Sequence, residues 1–355
     1  MSAFRIAVIG GDGIGPEVIE EAIRAADAAN QAGDRADLLW NRLPWGSQFY
    51  KQTGRMVPED GWNLLRRHDA IFFGAVGSPD VPDHITVHGL ILPMRRKFDQ
   101  YVNLRPAYLY EGVQSPLRDK APGSIDMVVY RENTEGEYAP IGGRLYEGLP
   151  GEMAVQVSVF TRRGCERIMR AAFEGARRRR KKVTSITKSN AQAHSMVLWD
   201  EVFRDVAREY PDVEARSLLI DAAAMDFVRR PETFDVVVAS NLFGDILTDL
   251  SAIVTGSMGL AASGNINPER TAPSMFEPVH GSAPDIAGKG IANPLAAMLS
   301  AAMMFEHLGL ERSAARLRQA VAAVLKAGQP RTPDLGGHAR TTDVTAAILA
   351  AIDRG

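Results

Sequence analysis

Residues 235–249 read DVVVASNLFGDILTD. The four residues after Asp235, VVVA, form an unbroken apolar and largely β-branched run, the pattern of a strand covered on both faces. Ser240 and Asn241 break the run, and a helix beginning there places Asp245 and Asp249 one turn apart on the same face. A strand that passes directly into a helix is the repeating unit of an α/β sheet, and the same alternation extends outward in both directions. Comparable runs bounded by Gly, Pro or Asp fall at 5–9, 70–76, 127–130 and 183–187, with helical patterns at 15–30, 162–178 and 192–209. This spacing predicts an α/β fold on a mainly parallel sheet. An alanine-rich helical region over 294–327 and a last helix over 342–353 close the chain.

Composition narrows the function class. In 355 residues, 41 Lys+Arg against 43 Asp+Glu leave a net charge of -2, which gives no electrostatic reason to expect nucleic acid or an acidic membrane as partner. The one dense basic run, RRRRKK at 177–182, reads as a solvated helix end, where cations suit the dipole and no aromatic residues interleave for base stacking. The longest apolar stretch, 295–305, is interrupted by Ser300 and reaches half of the roughly 20 residues that a membrane span requires. It reads as a buried helix. Cys165 is the only cysteine, which excludes a disulfide framework, a cysteine-rich zinc site and a two-cysteine redox motif. With no signal-peptide pattern at the start, a cytoplasmic setting is the expectation.

Two glycine-rich segments invite readings that their spacing refuses. Gly10, Gly11, Gly13 and Gly15 follow the first strand, but a Rossmann fingerprint needs a third small residue where Pro16 stands. What remains is a tight strand-to-helix turn, with Pro16 early in the helix, that brings backbone close to a ligand. Gly288-Lys289 resembles a phosphate loop, yet Ala283 replaces its upstream glycine and Gly290 its Ser or Thr.

The chemical signal is a set of carboxylates and arginines. Asp245 and Asp249 have the separation suited to one hard cation, and Asp221, ending the run SLLID, could supply a third ligand. Three carboxylates without His or Cys favour Mg²⁺ or Mn²⁺ over zinc. Taken alone, two acids near a helix N-terminus complement its dipole equally well. Arg95, Arg105 and Arg131 would suit a small di- or tri-acid if they converge, although singly each reads as a surface arginine. Tyr138 and Lys188 are candidate proton-transfer groups. The Gly/Pro/Asp/Asn-dense segment 276–294 marks an ordered loop with close backbone approach to something.

The segments RENTEGEY, TKSNAQ, NLFGDILTDL and EPVHGSAPDIAGKGIANP, in this order and with DGIGPE near the start, resemble the β-decarboxylating dehydrogenase family. That family includes isocitrate, 3-isopropylmalate, homoisocitrate, D-malate and tartrate dehydrogenases. PDHI at 82–85, FDQYVNLRP at 98–106 and VVASNLFGDIL at 237–247 most resemble the D-malate/tartrate branch. The resemblance implies a two-domain, non-Rossmann α/β fold on a large mixed sheet flanked by helices. Residues 1–100 and 256–355 would form the large cofactor-binding domain, and 101–255 a small domain carrying the dimer interface.

It further implies a homodimer with shared active sites. Asp245 and Asp249 would hold Mg²⁺ or Mn²⁺ together with Asp221 of the other subunit, which also borders the substrate. Arg95, Arg105 and Arg131 would grip the substrate carboxylates, beside Ile91 and Leu92, while Tyr138 and a Lys188 contributed across the interface would move protons. NAD would lie on loops 74–87 and 281–293, with Ile14, Gly74, Val76, His280, Gly281, Ser282, Ala283, Asp285, Ile286 and Asn293 as its contacts. Asp285 would accept a hydrogen bond from the adenosine ribose and repel the 2′-phosphate of NADP. A monovalent cation such as K⁺ is a further cofactor candidate. The implied reaction oxidises D-malate at C2 and releases CO₂ to leave pyruvate, with tartrate as a second substrate and 3-isopropylmalate as the alternative. His88 stands where the isopropylmalate branch carries glutamate and the D-malate/tartrate members tryptophan. Groups that grip isocitrate's third carboxylate are absent. A catalytically silent relative would have lost site residues, whereas Tyr138, Lys188, Asp221, Asp245 and Asp249 are all present.

Overall fold

The computed structural model describes residues 3–354. Its strands are β1 (Ala3–Gly11), β2 (Asp37–Arg42), β3 (Ala70–Ala75), β4 (Val102–Tyr108), β5 (Asp126–Glu132), β6 (Gly142–Leu145), β7 (Met153–Gln156), β8 (Lys182–Thr187), β9 (Glu214–Leu219), β10 (Val236–Ala239), β11 (Ala262–Ile266) and β12 (Ser274–Pro278). Ten of them form one sheet in the order β2-β1-β3-β12-β11-β4-β5-β10-β8-β9, and β6 pairs with β7 in a separate hairpin.

The sheet is mainly parallel, as periodicity predicts, and mixed, as the resemblance implies, with six of its nine pairings parallel. Its flanks are parallel, but β11 runs antiparallel to both β12 and β4, and β4 runs antiparallel to β5. These central strands read VNLRPAY, ASGNI and SMFEP, so they lack the apolar runs that marked the others. They are nevertheless buried, and several of their polar side chains find partners on one another: Asn103 donates to Ser263 and Asn265, and Asn265 to Glu277.

Three apolar clusters pack against the sheet. One gathers the helix Gly15–Ala32 with the helices Leu295–Leu308 and Glu311–Ala327. A second joins β5, β8 and β10 to the helices Arg162–Arg177 and Ser195–Ala207. A third lies under β1 and β3 with Met94, Phe98 and Trp45. The alanine-rich region is therefore two helices, separated where Gly309 adopts φ +79° and caps the first in left-handed geometry.

The basic run 177–182 is also not merely a solvated helix end. Arg179 Nε donates to Asp235 Oδ1 at 2.8 Å and its Nη2 to Asp126 Oδ1, while Arg180 reaches the Phe234 carbonyl. Asp235, fully buried just ahead of β10, requires such a partner. No helix among the described residues is long and apolar enough to cross a membrane.

The chain directions gather the interesting residues along one edge. β5, β8, β9 and β10 are mutually parallel, so Arg131, Lys188, Asp221 and the helix Asn241–Val254 all sit at their carboxyl ends. Ligands of open α/β sheets bind at this edge.

Candidate active site

The helix Asn241–Val254 carries the centre of the site, and Glu137 fixes its start. Ser240 Oγ donates to Glu137 Oε1 at 2.7 Å and the Leu242 amide to Oε2 at 3.1 Å, so a carboxylate satisfies the helix N-terminus. The next residue on that loop is Tyr138, whose hydroxyl is thereby carried to Asp245 Oδ2 at 3.1 Å. Glu137 gives no sequence signal of its own, being one acid among several in RENTEGEY.

Asp245 is where the arginines converge. Its Oδ1 accepts from Arg131 Nη1 and from Arg105 Nη1, the latter at 3.2 Å. Arg131 also donates from Nε and Nη2 to Asn241 Oδ1, and Arg105 from Nη1 to Thr248 Oγ1 at 2.6 Å. Gly244 makes this possible, since a Cβ there would stand 2.6 Å from Arg131 Cγ. Arg95 places Nη2 3.3 Å from Glu277 Oε1. All three guanidiniums are buried, and the Nε atoms of Arg95 and Arg105 have no partner among the described residues. Buried cations with spare donors call for anions.

Electrostatics agree with the geometry. Burial, and then the neighbouring Arg131, push Arg105 down to about 10. Burial also lowers Arg95, against the opposing pull of Glu277. For Asp245 burial acts upward, but Arg131, Arg105 and Arg95 together hold its carboxyl below the ordinary value. Asp249, one turn on, is raised by burial and by the Asp245 charge, and makes no hydrogen bond or ion pair among the described residues. Two adjacent carboxylates, one without a partner, form a hard-oxygen donor set that fits Mg²⁺ or Mn²⁺. Burial and the Asp245 charge raise Tyr138, which keeps its proton at neutral pH.

The second proton-transfer candidate stands apart. Lys188 Nζ pairs with Asp221 Oδ1 at 2.9 Å, and this hydrogen bond foremost lowers the Asp221 carboxyl. No hydrogen bond or ion pair links the two residues to the Asp245 cluster among the described residues, and no group of three or more His, Cys, Asp or Glu there is arranged around one point. Within a single chain, Asp221 does not complete the Asp245–Asp249 pair.

The two loops read as cofactor contacts face each other across a cavity of about 580 Å³ lined by 76–79, 81–83 and 281–284. The Ile14 amide donates to the Ser282 carbonyl at 2.8 Å, and a Cβ on Gly13, at φ +58°, would collide with that carbonyl. Val76, Gly281, Ser282 and Ala283 line the cavity, and exposed Asp285 and half-buried Ile286 follow directly. His280 Nε2 is buried without a partner, an orphan that suits a polar cofactor. Burial lowers the His280 imidazole. Other predicted contacts have structural duties: Gly74 is buried within β3, the Ile14 side chain lies in the core, and Asn293 divides its amide between Asp334 and the Leu295 amide. Ile91 packs against the third cluster and Leu92 is buried, while His88 is exposed.

The fold is that of a dehydrogenase lineage. The family model for isocitrate/isopropylmalate dehydrogenase matches residues 5–348, and the chain belongs to that family. A probable tartrate dehydrogenase/decarboxylase of Agrobacterium vitis is 52% identical over 99% of this chain and 98% of that protein. The D-malate dehydrogenase (decarboxylating) of Escherichia coli K12 is also 52% identical, over 100% of both chains. Among solved structures, isocitrate dehydrogenase from Methylococcus capsulatus superposes with a TM-score of 0.89 at 37% identity, covering 98% of this chain and 99% of that one.

Proposed function

We propose that this protein is an NAD-dependent, metal-requiring decarboxylating dehydrogenase of D-malate that also accepts tartrate. The observation that carries the reading is the gathering of Arg95, Arg105 and Arg131 around Asp245, with Asp249 one turn away and the Tyr138 hydroxyl on Asp245. Spare guanidinium donors take the two carboxylates of a small hydroxy diacid. Asp245 and Asp249 would hold Mg²⁺ or Mn²⁺, which when bound supplies Lewis-acid polarisation of the substrate oxygen. NAD would lie along the 76–83 and 281–285 loops, with Asp285 favouring it over NADP, and would accept hydride from C2. Lys188 takes the hydroxyl proton, and protonated Tyr138 returns one to the carbon left by CO₂. The names of the relatives support this substrate class. The apolar pair Ile91 and Leu92, the first half-buried and the second buried outside the three clusters, keeps 3-isopropylmalate as the alternative substrate.

The active unit in this reading is a cytoplasmic homodimer of two-domain subunits divided near residues 100 and 255. Lys188 and Asp221 then reach the Asp245 cluster of the neighbouring subunit. The β6–β7 hairpin supports an interface, because it exposes Ile141, Leu145, Tyr146, Leu149, Met153 and Val155 on a two-stranded unit that has no core of its own.

The test is NADH formation with Mn²⁺ and NAD on D-malate, tartrate and 3-isopropylmalate. A kcat/KM for D-malate or tartrate well above that for 3-isopropylmalate is expected. The reverse ratio would move the protein to the alkylmalate branch.

A further inference from the structure

A buried polar chain joins the two segments that carry the outer arginines. Arg95, in the helix Leu92–Lys97, meets Glu277 Oε1 on β12, and that same oxygen accepts from Asn265 Nδ2 at 2.7 Å. Asn265 Oδ1, on β11, accepts from Asn133 Nδ2 at 2.9 Å and from Asn103 Nδ2 at 3.0 Å. Asn133 lies two residues beyond Arg131, at the end of β5. Each of these residues is 7% exposed or less.

Such an arrangement is costly if its only task is to hold strands together. Buried amides and carboxylates lose solvation that apolar residues of the same size would not, so the array needs a further reason. Its pattern supplies one. Asn265 cannot flip its amide, because the reversed group would face the Glu277 carboxylate with its oxygen and the Asn103 and Asn133 amides with its nitrogen. The orientation of Asn265 therefore fixes Glu277, and Glu277 fixes the Arg95 guanidinium while leaving its Nε free. Arg131 is held separately by Asn241 and Asp245.

We propose that Asn265 and Glu277 are positioning residues for a substrate with two carboxylates. Through the chain Arg95, Glu277, Asn265, Asn133 they set where one carboxylate-binding guanidinium stands relative to the segment bearing the other. The proposal rests on the reading of the substrate as a hydroxy diacid. Misplacing a binding group by about 1 Å costs on the order of a hundredfold in rate, which sets the scale of the expected effect.

The test removes links of the chain and compares them with one conservative replacement. Asn265→Leu removes the group that orients Glu277, and Glu277→Met removes the acceptor that holds Arg95. Glu277→Gln keeps an oxygen that can accept from both Asn265 and Arg95, so it preserves the chain without its charge. Asn265→Leu and Glu277→Met are each expected to lose tenfold to a hundredfold in kcat/KM for D-malate, and Glu277→Gln to stay within about threefold of the wild type, with KM for NAD unchanged throughout. The Kd for D-malate on the Mn²⁺-loaded protein, measured without NAD, should weaken in the first two variants and hold in the third. Normal Kd and kcat/KM in Asn265→Leu and Glu277→Met overturn the proposal, as does a Glu277→Gln variant no better than Glu277→Met. Losses that follow the unfolding temperature while Kd stays normal overturn it too. Because Kd needs no turnover, a wild-type protein that binds D-malate but forms no NADH would fail the functional reading without touching this one.

Discussion

The Tyr138 hydroxyl donates to Asp245 Oδ2 at 3.1 Å, so the proposed proton donor is anchored on a proposed metal ligand. The Tyr138 ring also lies 5.7 Å from the Arg131 guanidinium, which steadies it. Tyr138→Phe keeps the ring and removes only the hydroxyl. Decarboxylation should slow by about 10²–10⁴-fold, with oxidation at C2 affected less, so that the keto diacid is released ahead of pyruvate. Separate assays of NADH, oxaloacetate and pyruvate decide the point, and undiminished pyruvate formation would remove Tyr138 from this role.

Asp245 and Asp249 should separate when neutralised. Asp245→Asn leaves the almost wholly buried Arg131 without its carboxylate, and is expected to cost about 3 kcal/mol of stability as well as metal affinity. Among the described residues Asp249 has no partner, and burial and then the Asp245 charge raise it, so Asp249→Asn relieves repulsion and should leave the metal-free unfolding temperature unchanged or slightly higher. Its affinity for Mn²⁺ should nevertheless fall by at least about tenfold. Unfolding followed with and without Mn²⁺ reads both effects, and equal loss of metal-free stability in the two variants would contradict the assignment.

His307 should make stability fall with acid. Burial first, and then Arg270, push its imidazole down to about 4, while its ring packs 5.5 Å from Phe276. Between pH 6.5 and 4 the unfolded chain holds a proton there that the folded chain refuses, so stability declines as pH drops through that window. His307→Phe keeps the packing and should retain about 2 kcal/mol of what the wild type loses. Parallel stability profiles across that range would show that His307 does not contribute.

The parts of this molecule visible in its sequence are those where one physical demand dominates. β10 is buried on both faces and reads as VVVA, and the helix after it announces Asp245 and Asp249 by their one-turn spacing. β4, β11 and β12 answer two demands at once, lying in the centre of the sheet and supplying Arg105, Asn265 and Glu277 to the site. Their Asn, Gly, Pro and charged residues read as loop, because the partners that make them affordable to bury come from strands far away in the chain. For the same reason the arginines could be suspected singly, while Glu277, Asn241 and Glu137, which orient Arg95, Arg131 and the helix start, could not. The edge strands β2 and β9 were hidden by ordinary half exposure.

The separation of Lys188–Asp221 from the Asp245 cluster leads to a test of shared sites. If each site takes Tyr138, Asp245 and Asp249 from one subunit and Lys188 and Asp221 from the other, then Lys188→Met and Tyr138→Phe homodimers are both deficient for different reasons. Reassorted into mixed dimers, one site carries both substitutions and the other neither. Random exchange makes half the dimers mixed, each with one intact site, so about a quarter of wild-type activity should return. Sites built within one chain would give no recovery, since every mixed dimer would then hold two damaged sites. Tyr138→Phe mixed with Asp249→Asn supplies the control: both residues come from the same side, so even a shared site stays broken and activity should remain at the level of the separate variants.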